Sequence, residues 1–303
     1  SVLDADGRLL WRHDRAAGQS VMFAVDLDLD GDLEVIDGGL ALEHDGTELW
    51  FDFAGSSAEG RAAVGNFDDD PYPEIVVVHS DLRLFEHDGT LIWAVPTAFR
   101  GGAPTVADFD GDGRPEIGVL DGFEYTVYEG DGQPIWSFPI YDGSAQTGSA
   151  VFDFDGDGSA EVVMRDEYDL LILRGTDGQL LWRMPYTSAT WNENPVIADV
   201  DDDGNAEIVV GASFGIGFGQ QRMGLRVIGG ADGDWIRTRG IWNQHAYSIS
   251  NVAEDGTLPT PQRPNWLLPG MNNFRQQGFM PDDEGRADRF TYRADDGQAR
   301  SEP

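Results

Sequence analysis

Five nine-residue stretches place acidic side chains on alternating positions. Positions 1, 3, 5, 7 and 9 of the first are Asp26, Asp28, Asp30, Asp32 and Glu34. The second has Asn66, Asp68, Asp70, Tyr72 and Glu74, and the third Asp108, Asp110, Asp112, Arg114 and Glu116. The fourth has Asp153, Asp155, Asp157, Ser159 and Glu161, and the fifth Asp199, Asp201, Asp203, Asn205 and Glu207. Oxygen atoms at this spacing suit a hard divalent cation, because Ca²⁺ takes six to eight oxygen ligands in flexible geometry. Carboxylates at positions 1, 3 and 5 fold inward around one ion while the residues between them point away. Position 7 accepts tyrosine and arginine, so its contribution is expected from the backbone carbonyl. Position 9 is glutamate in all five copies. Position 6 is glycine in four copies and Pro71 in the second, and proline cannot take a positive φ. About five Ca²⁺ ions are therefore expected, with the loop at Asn66 the weakest.

The first half of each stretch also fits an EF-hand loop, which needs a bidentate acid at position 12. The residues there are Asp37, Val77, Val119, Met164 and Val210. Four of the five are apolar and lie in strand-forming sequence, so these are not EF-hands. Polar turns alone would explain one Asp/Gly cluster, but not five with the same acidic pattern.

The elements that must position these loops follow from a second repeat. An Asp-Gly pair with tryptophan five positions after the Asp occurs at Asp6-Gly7 and Trp11, Asp45-Gly46 and Trp50, and Asp88-Gly89 and Trp93. It recurs at Asp131-Gly132 and Trp136, and at Asp177-Gly178 and Trp182, with a degraded copy at Asp232-Gly233 and Trp235. Asp-Gly between apolar runs is a hairpin signal, since both turn residues tolerate φ > 0. The metal loops begin roughly 40 to 46 residues apart and keep phase with these hairpins. Short apolar runs precede the loops, and β-branched runs such as Ile75–Val78 follow most of them. Four short strands per repeat, without helical periodicity, predict an all-β fold: a β-propeller of four-stranded blades. Solenoid coils are usually shorter, and independent hairpins could not bury the tryptophans.

The loop pattern, set between the first two strands of a unit, resembles the FG-GAP repeat of integrin α-chain propellers and the related VCBS-type repeats of secreted bacterial proteins. The resemblance spans about residues 20 to 237. It implies calcium on the face carrying the strand 1–2 loops and ligand on the opposite face. The Phe-Gly and Gly-Ala-Pro signature is poor, with Gly101-Gly102-Ala103-Pro104 its best copy, which departs from integrin-like recognition.

Residues 1–18 read as the outer strands of a partial blade and 19–237 as five complete blades. Residues 238–280 read as a ring-closing or irregular segment, and 281–303 as the start of a cadherin-like or Ig-like module or a linker. A full ring of six or seven blades is expected, in a chain that is part of a larger multidomain protein.

The 303 residues carry 55 acids against 20 basic groups, a formal charge of −35, and no lysine. Such a surface repels nucleic-acid phosphates and anionic lipid. With no cysteine, disulfides, thiolate metal sites and cysteine nucleophiles are excluded. No apolar run is long enough to insert a helix in a membrane. Phe99, Tyr141, Tyr186 and Trp191, on inter-blade loops, are candidates for contact with a protein or glycan. His245, among Trp242, Asn243, Gln244 and Tyr247, fits a structural histidine in the closing segment. Three roles remain open on these residues. One is a non-catalytic adhesion or recognition propeller, secreted or at the cell surface. The others are a polysaccharide lyase or hydrolase on a calcium propeller, and a spacer beside a catalytic domain.

Overall fold

The computed structural model describes residues 1–14, 21–52, 60–97, 101–188, 190, 193–212 and 224–278, with the backbone of 292–293 and 299–300. The protein is all-β and built as a propeller. Blade one holds β3 (Phe23–Val25), β4 (Glu34–Ile36), β5 (Leu40–Leu42) and β6 (Glu48–Phe51). Blade two holds β7 (Arg61–Gly65), β8 (Glu74–Val78), β9 (Asp81–Phe85) and β10 (Leu91–Pro96). Blade three holds β11 (Thr105–Ala107), β12 (Glu116–Asp121), β13 (Glu124–Tyr128) and β14 (Pro134–Pro139). Blade four holds β15 (Ala150–Phe152), β16 (Glu161–Arg165), β17 (Asp169–Leu173) and β18 (Leu180–Pro185). Each is an antiparallel meander with strands paired in chain order. β1 (Val2–Leu3) and β2 (Leu9–Trp11) form a two-stranded sheet before blade one.

Blade five departs from the expected four strands. Among the described residues it has three: β19 (Val196–Ala198), β20 (Glu207–Ala212) and β21 (Gly224–Gly229). Where the degraded Asp232-Gly233 hairpin stands, the chain makes a 3₁₀ turn over Ala231–Gly233. Arg237 then bridges back to Asn205. Trp235, brought forward by the shortened spacing, is buried against the Phe154 ring of blade four at 4.5 Å. It therefore cannot end an outer strand.

The Asp-Gly turns do more than reverse the chain. The indole N–H of Trp11 donates to the carbonyl of His44 at 2.8 Å, and that of Trp50 to His87 at 3.0 Å. Trp93 donates to Gly130 at 2.9 Å and Trp136 to Gly175 at 2.5 Å. Each tryptophan belongs to the outer strand of one sheet and lies on the Asp-Gly turn of the next. The glycine of that turn has a positive φ, +84° at Gly89, and its missing side chain makes room for the indole. A Cβ on Gly89 would sit 2.5 Å from Trp50, and one on Gly178 would sit 2.4 Å from Trp136. Turn conformation and blade contact thus demand the same residue.

The chain after blade five runs across the inner strands. Asn272 exchanges two hydrogen bonds with the backbone of Asn66 at the end of β7. Phe274 pairs with Val106 of β11, and its ring lies 5.1 Å from Phe23 of β3. Val151 of β15 bonds to both Arg275 and Gln277, and the Gln277 amide reaches the Ile197 carbonyl of β19. This segment touches the inner strands of all five blades. The tail read as a further module lies outside the described residues, except for the paired backbones of β22 (Tyr292–Arg293) and β23 (Ala299–Arg300). No helix among the described residues is long and apolar enough to cross a membrane.

Gly89→Ala combines a positive φ with a steric clash against Trp50. It should destabilise the fold by about 2 kcal/mol or more. Urea denaturation checks this, and an unchanged midpoint would refute the double role of the turn glycine.

Candidate metal centres

Each acidic loop joins strands one and two of its blade, so the period-2 run of strand one passes directly into it. In three loops position 2 continues that alternation and points inward, with Leu27, Phe109 and Phe154 fully buried, whereas Val200 of the fifth is 48% exposed. The carboxylates on either side consequently face out of the core, on one side of the loop.

The position-1 carboxylate organises the turn. In the third loop Asp108 accepts from the N–H groups of Gly111 at 2.7 Å and Gly113 at 2.9 Å. The position-6 N–H makes the same bond to Asp26, Asp153 and Asp199 in their loops. All four position-6 glycines have φ between +89° and +97°, as the tight turn requires. The second loop changes both ends of this contact. Pro71 has no N–H to give, and Asn66 replaces the acceptor and donates instead to the Asp70 carbonyl at 2.6 Å. These two departures are therefore one substitution in structural terms. Positions 3 and 5 use one carboxylate oxygen to hold the backbone two residues on, as in Asp110 to Asp112 and Asp112 to Arg114.

The glutamate at position 9 closes the loop from the first residue of strand two. One oxygen accepts the N–H of position 2 in every copy, at 2.8 Å from Leu27, 2.6 Å from Phe67, 2.7 Å from Phe109 and 2.9 Å from both Phe154 and Val200. Glu34, Glu74 and Glu116 are at most 1% exposed, and their second oxygen has no hydrogen-bond partner. A buried unpaired carboxylate oxygen is costly. Burial, opposed by the backbone bond and aided by neighbouring aspartates, raises these carboxyls to about 7 at Glu34 and Glu207 and about 8 at Glu74 and Glu116. Glu161 is also driven up by burial and by Asp155.

Ligand-capable oxygens of Asp108, Asp110, Asp112 and Glu116 lie within 4.8 Å of one another, as do those of Asp26, Asp28 and Glu34, and of Asp153, Asp155 and Glu161. An orphaned buried oxygen beside converging carboxylates fits a hard dication, and these residues could hold Ca²⁺. At position 7 two side chains contact histidines. Tyr72 stacks on His87 at 4.2 Å, and the Asp32 carboxylate lies 3.8 Å from His44.

The structure adds acids that the loop pattern does not contain. Glu86 joins Asp68 and Asp70 in one cluster, and Glu43 joins Glu34 and His44 in another. Burial, then Asp110 and Asp112, push up the carboxyl of Glu129. All three glutamates stand two residues before an Asp-Gly turn. In a meander the strand 3–4 turn lies at the same end as the strand 1–2 loop, so that spacing was the available signal. In blade four Arg174 stands three residues before the turn and is directed to Asp177 and Gln179 instead.

The proposed ligand aromatics separate. Tyr141 is 55% exposed and packs against Tyr168 at 4.9 Å, at the end of the blades opposite the metal loops. Tyr186 is not exposed as expected. It is 2% accessible, bonds the Val210 carbonyl, and lies beside Arg165 and Arg226, sealing blade four to blade five. Phe99 and Trp191 lie outside the described residues. His245 contacts Asn194 and Arg275. Burial first, then the Arg275 and Arg61 charges, lower its pKa to about 3.

Stripped of metal, the protein binds more protons folded than unfolded between the ordinary glutamate value of 4.5 and about 8. Its stability should accordingly fall as pH rises through that window, while calcium affinity rises. Melting curves in EDTA across this range check the sign. Glu86→Gln should weaken the second loop for Ca²⁺ on the order of tenfold by removing one ligand charge. Calorimetric titration with an unchanged affinity would exclude Glu86 from that site.

Comparison with known proteins bears on the repeat and the fold. The model of the FG-GAP-like repeat matches residues 66–119 and 153–210, and the chain carries these repeats. No curated protein matches the sequence. Among solved structures, the V. cholerae biofilm matrix protein Bap1 is similar with a TM-score of 0.79 and 18% identity, over 92% of this chain and 73% of that one. Bacillus licheniformis rhamnogalacturonan lyase PL11 gives 0.47 and 24%, over 65% of this chain and 34% of that one. Rhamnogalacturonan lyase YesW gives 0.49 and 15%, over 74% and 53%. At these identities the likeness to Bap1 concerns the fold alone, and the lyase scores are too low to add to it.

Proposed function

We propose, from FG-GAP-like repeats set in a β-propeller, that this chain is a calcium-bound adhesion or recognition module of an exported bacterial protein. The single observation that carries the reading is the position-9 glutamate. It is buried in every blade; in three blades it keeps an orphaned oxygen, and in two of these, the first and third, that glutamate lies among converging aspartates. Ca²⁺ would supply the positive charge that this arrangement lacks, and the aspartates at positions 1, 3 and 5 would hold it. The ion then ties strand one to strand two in each blade, which is a structural role.

An extracellular setting is consistent with this chemistry, since millimolar calcium fills modules with Kd on the order of 10⁻⁴–10⁻³ M. The fold likeness to a biofilm matrix protein supports the same setting. A charge of −35 disfavours nucleic acid, so the partner is read as a protein or a glycan. Binding rather than turnover is favoured because the acid clusters are accounted for by metal. His245, the histidine of the closing segment, is held neutral across the physiological range.

The test is calcium removal. EDTA should lower the melting temperature sharply, because a ligand that binds only the folded state stabilises it. Atomic absorption after dialysis against calcium should count about five ions per chain, with the loop at Asn66 filling last. An EDTA-insensitive melting temperature would overturn the reading.

A further inference from the structure

The geometry points to a glycan-binding cleft on the face that carries the metal loops, between the third and fourth loops and the closing segment. It deepens the recognition role proposed above and rests on that reading for its calcium-filled walls. The cleft has a volume of about 450 Å³, within the range of small-ligand sites. One wall is the third loop, with Asp108 and Arg114, and another is the fourth, with Asp153. The third wall is the closing segment, which contributes Met271, Asn273 and Gln276.

Three side chains in this lining have unused hydrogen-bonding capacity. Asn273 is 4% exposed, and its Oδ1 is buried without a partner. The half-buried Gln276 amide and the exposed Arg114 guanidinium make no side-chain hydrogen bond or ion pair among the described residues. An amide offers a donor and an acceptor together, which suits a hydroxyl that does both. Met271 supplies an apolar surface for the C–H face of a ring.

Peptide recognition by strand addition needs an open strand edge. The inner strands here are already paired, β11 through Val106 to Phe274 and β15 through Val151 to Arg275 and Gln277. A polyanion meets the carboxylates of two loops and a chain of charge −35. The occupant is accordingly a short, uncharged, hydroxyl-rich oligosaccharide. This places recognition on the metal face, away from the Tyr141 end of the blades.

The experiment uses the whole chain loaded with calcium, on an array of neutral and uronate-bearing oligosaccharides. Calorimetry then follows on the tightest binder. A neutral oligosaccharide should bind, and Gln276→Ala and Arg114→Ala should each weaken it about three- to tenfold. Neutral binding that neither variant weakens overturns the cleft. Binding of uronates alone, or of no glycan at all, overturns the ligand class. Melting with and without EDTA on the same samples reads the calcium proposal separately, so its failure is distinct from failure of the cleft. Should Arg114→Ala disturb the third loop, Gln276→Ala on the closing segment carries the test by itself.

Discussion

The position-9 glutamate is the constraint on which each blade depends. It begins strand two, is buried under the loop, and spends one oxygen on the N–H of position 2. That bond sets the loop against the sheet, and in the first, third and fourth loops the position-2 side chain is buried in the core. Its second oxygen then faces the aspartates. A carboxylate with a low-dielectric surround and like-charged neighbours is stable only when protonated or paired with a cation. Blade geometry and the capacity to hold a cation are thus one electrostatic problem, centred on the same residue in every repeat.

Blades so formed must still be joined, and two contacts do it. The tryptophan of one outer strand lies on the Asp-Gly turn of the next sheet and donates its N–H to a carbonyl there. A large aromatic surface is buried while its polar atom is satisfied. At the inner end, Asn272 to Gln277 hydrogen-bond to the inner strands of blades two to five, and the Phe274 ring packs on blade one. The propeller is therefore tied at both its rim and its axis. The metal loops lie close to one another as well, since the N–H of Ala160 in the fourth loop bonds the Asp108 carbonyl of the third.

Much of this was legible in the chain because the chemistry is local. Loop ligands sit two residues apart, turn glycines reveal their φ by having no side chain, and the repeat period exposes the blade. The second loop shows the limit of position-by-position reading. Asn66 and Pro71 look like two defects, yet Pro71 lacks the N–H that an aspartate at position 1 would accept, so the pair changes together. The fifth blade shows another limit. Its degraded hairpin keeps the composition of the others, but a tryptophan two residues early is captured by Phe154, and no fourth strand forms among the described residues.

The sequence by itself determined the all-β class, the repeat, and the alternating carboxylates within each loop, since these rest on neighbours and on side-chain alternation. Only the tertiary structure decided that Glu86 joins the second loop and that Trp50 belongs as much to blade two as to blade one. It likewise decided that Tyr186 is sealed between blades and that the closing segment forms one wall of a cleft beside two metal loops. Those contacts link residues from tens to about two hundred positions apart, such as Trp50 with His87, 37 apart, and Asn66 with Asn272, 206 apart. Their partners are chosen by how the blades pack around a common axis, which no local pattern encodes.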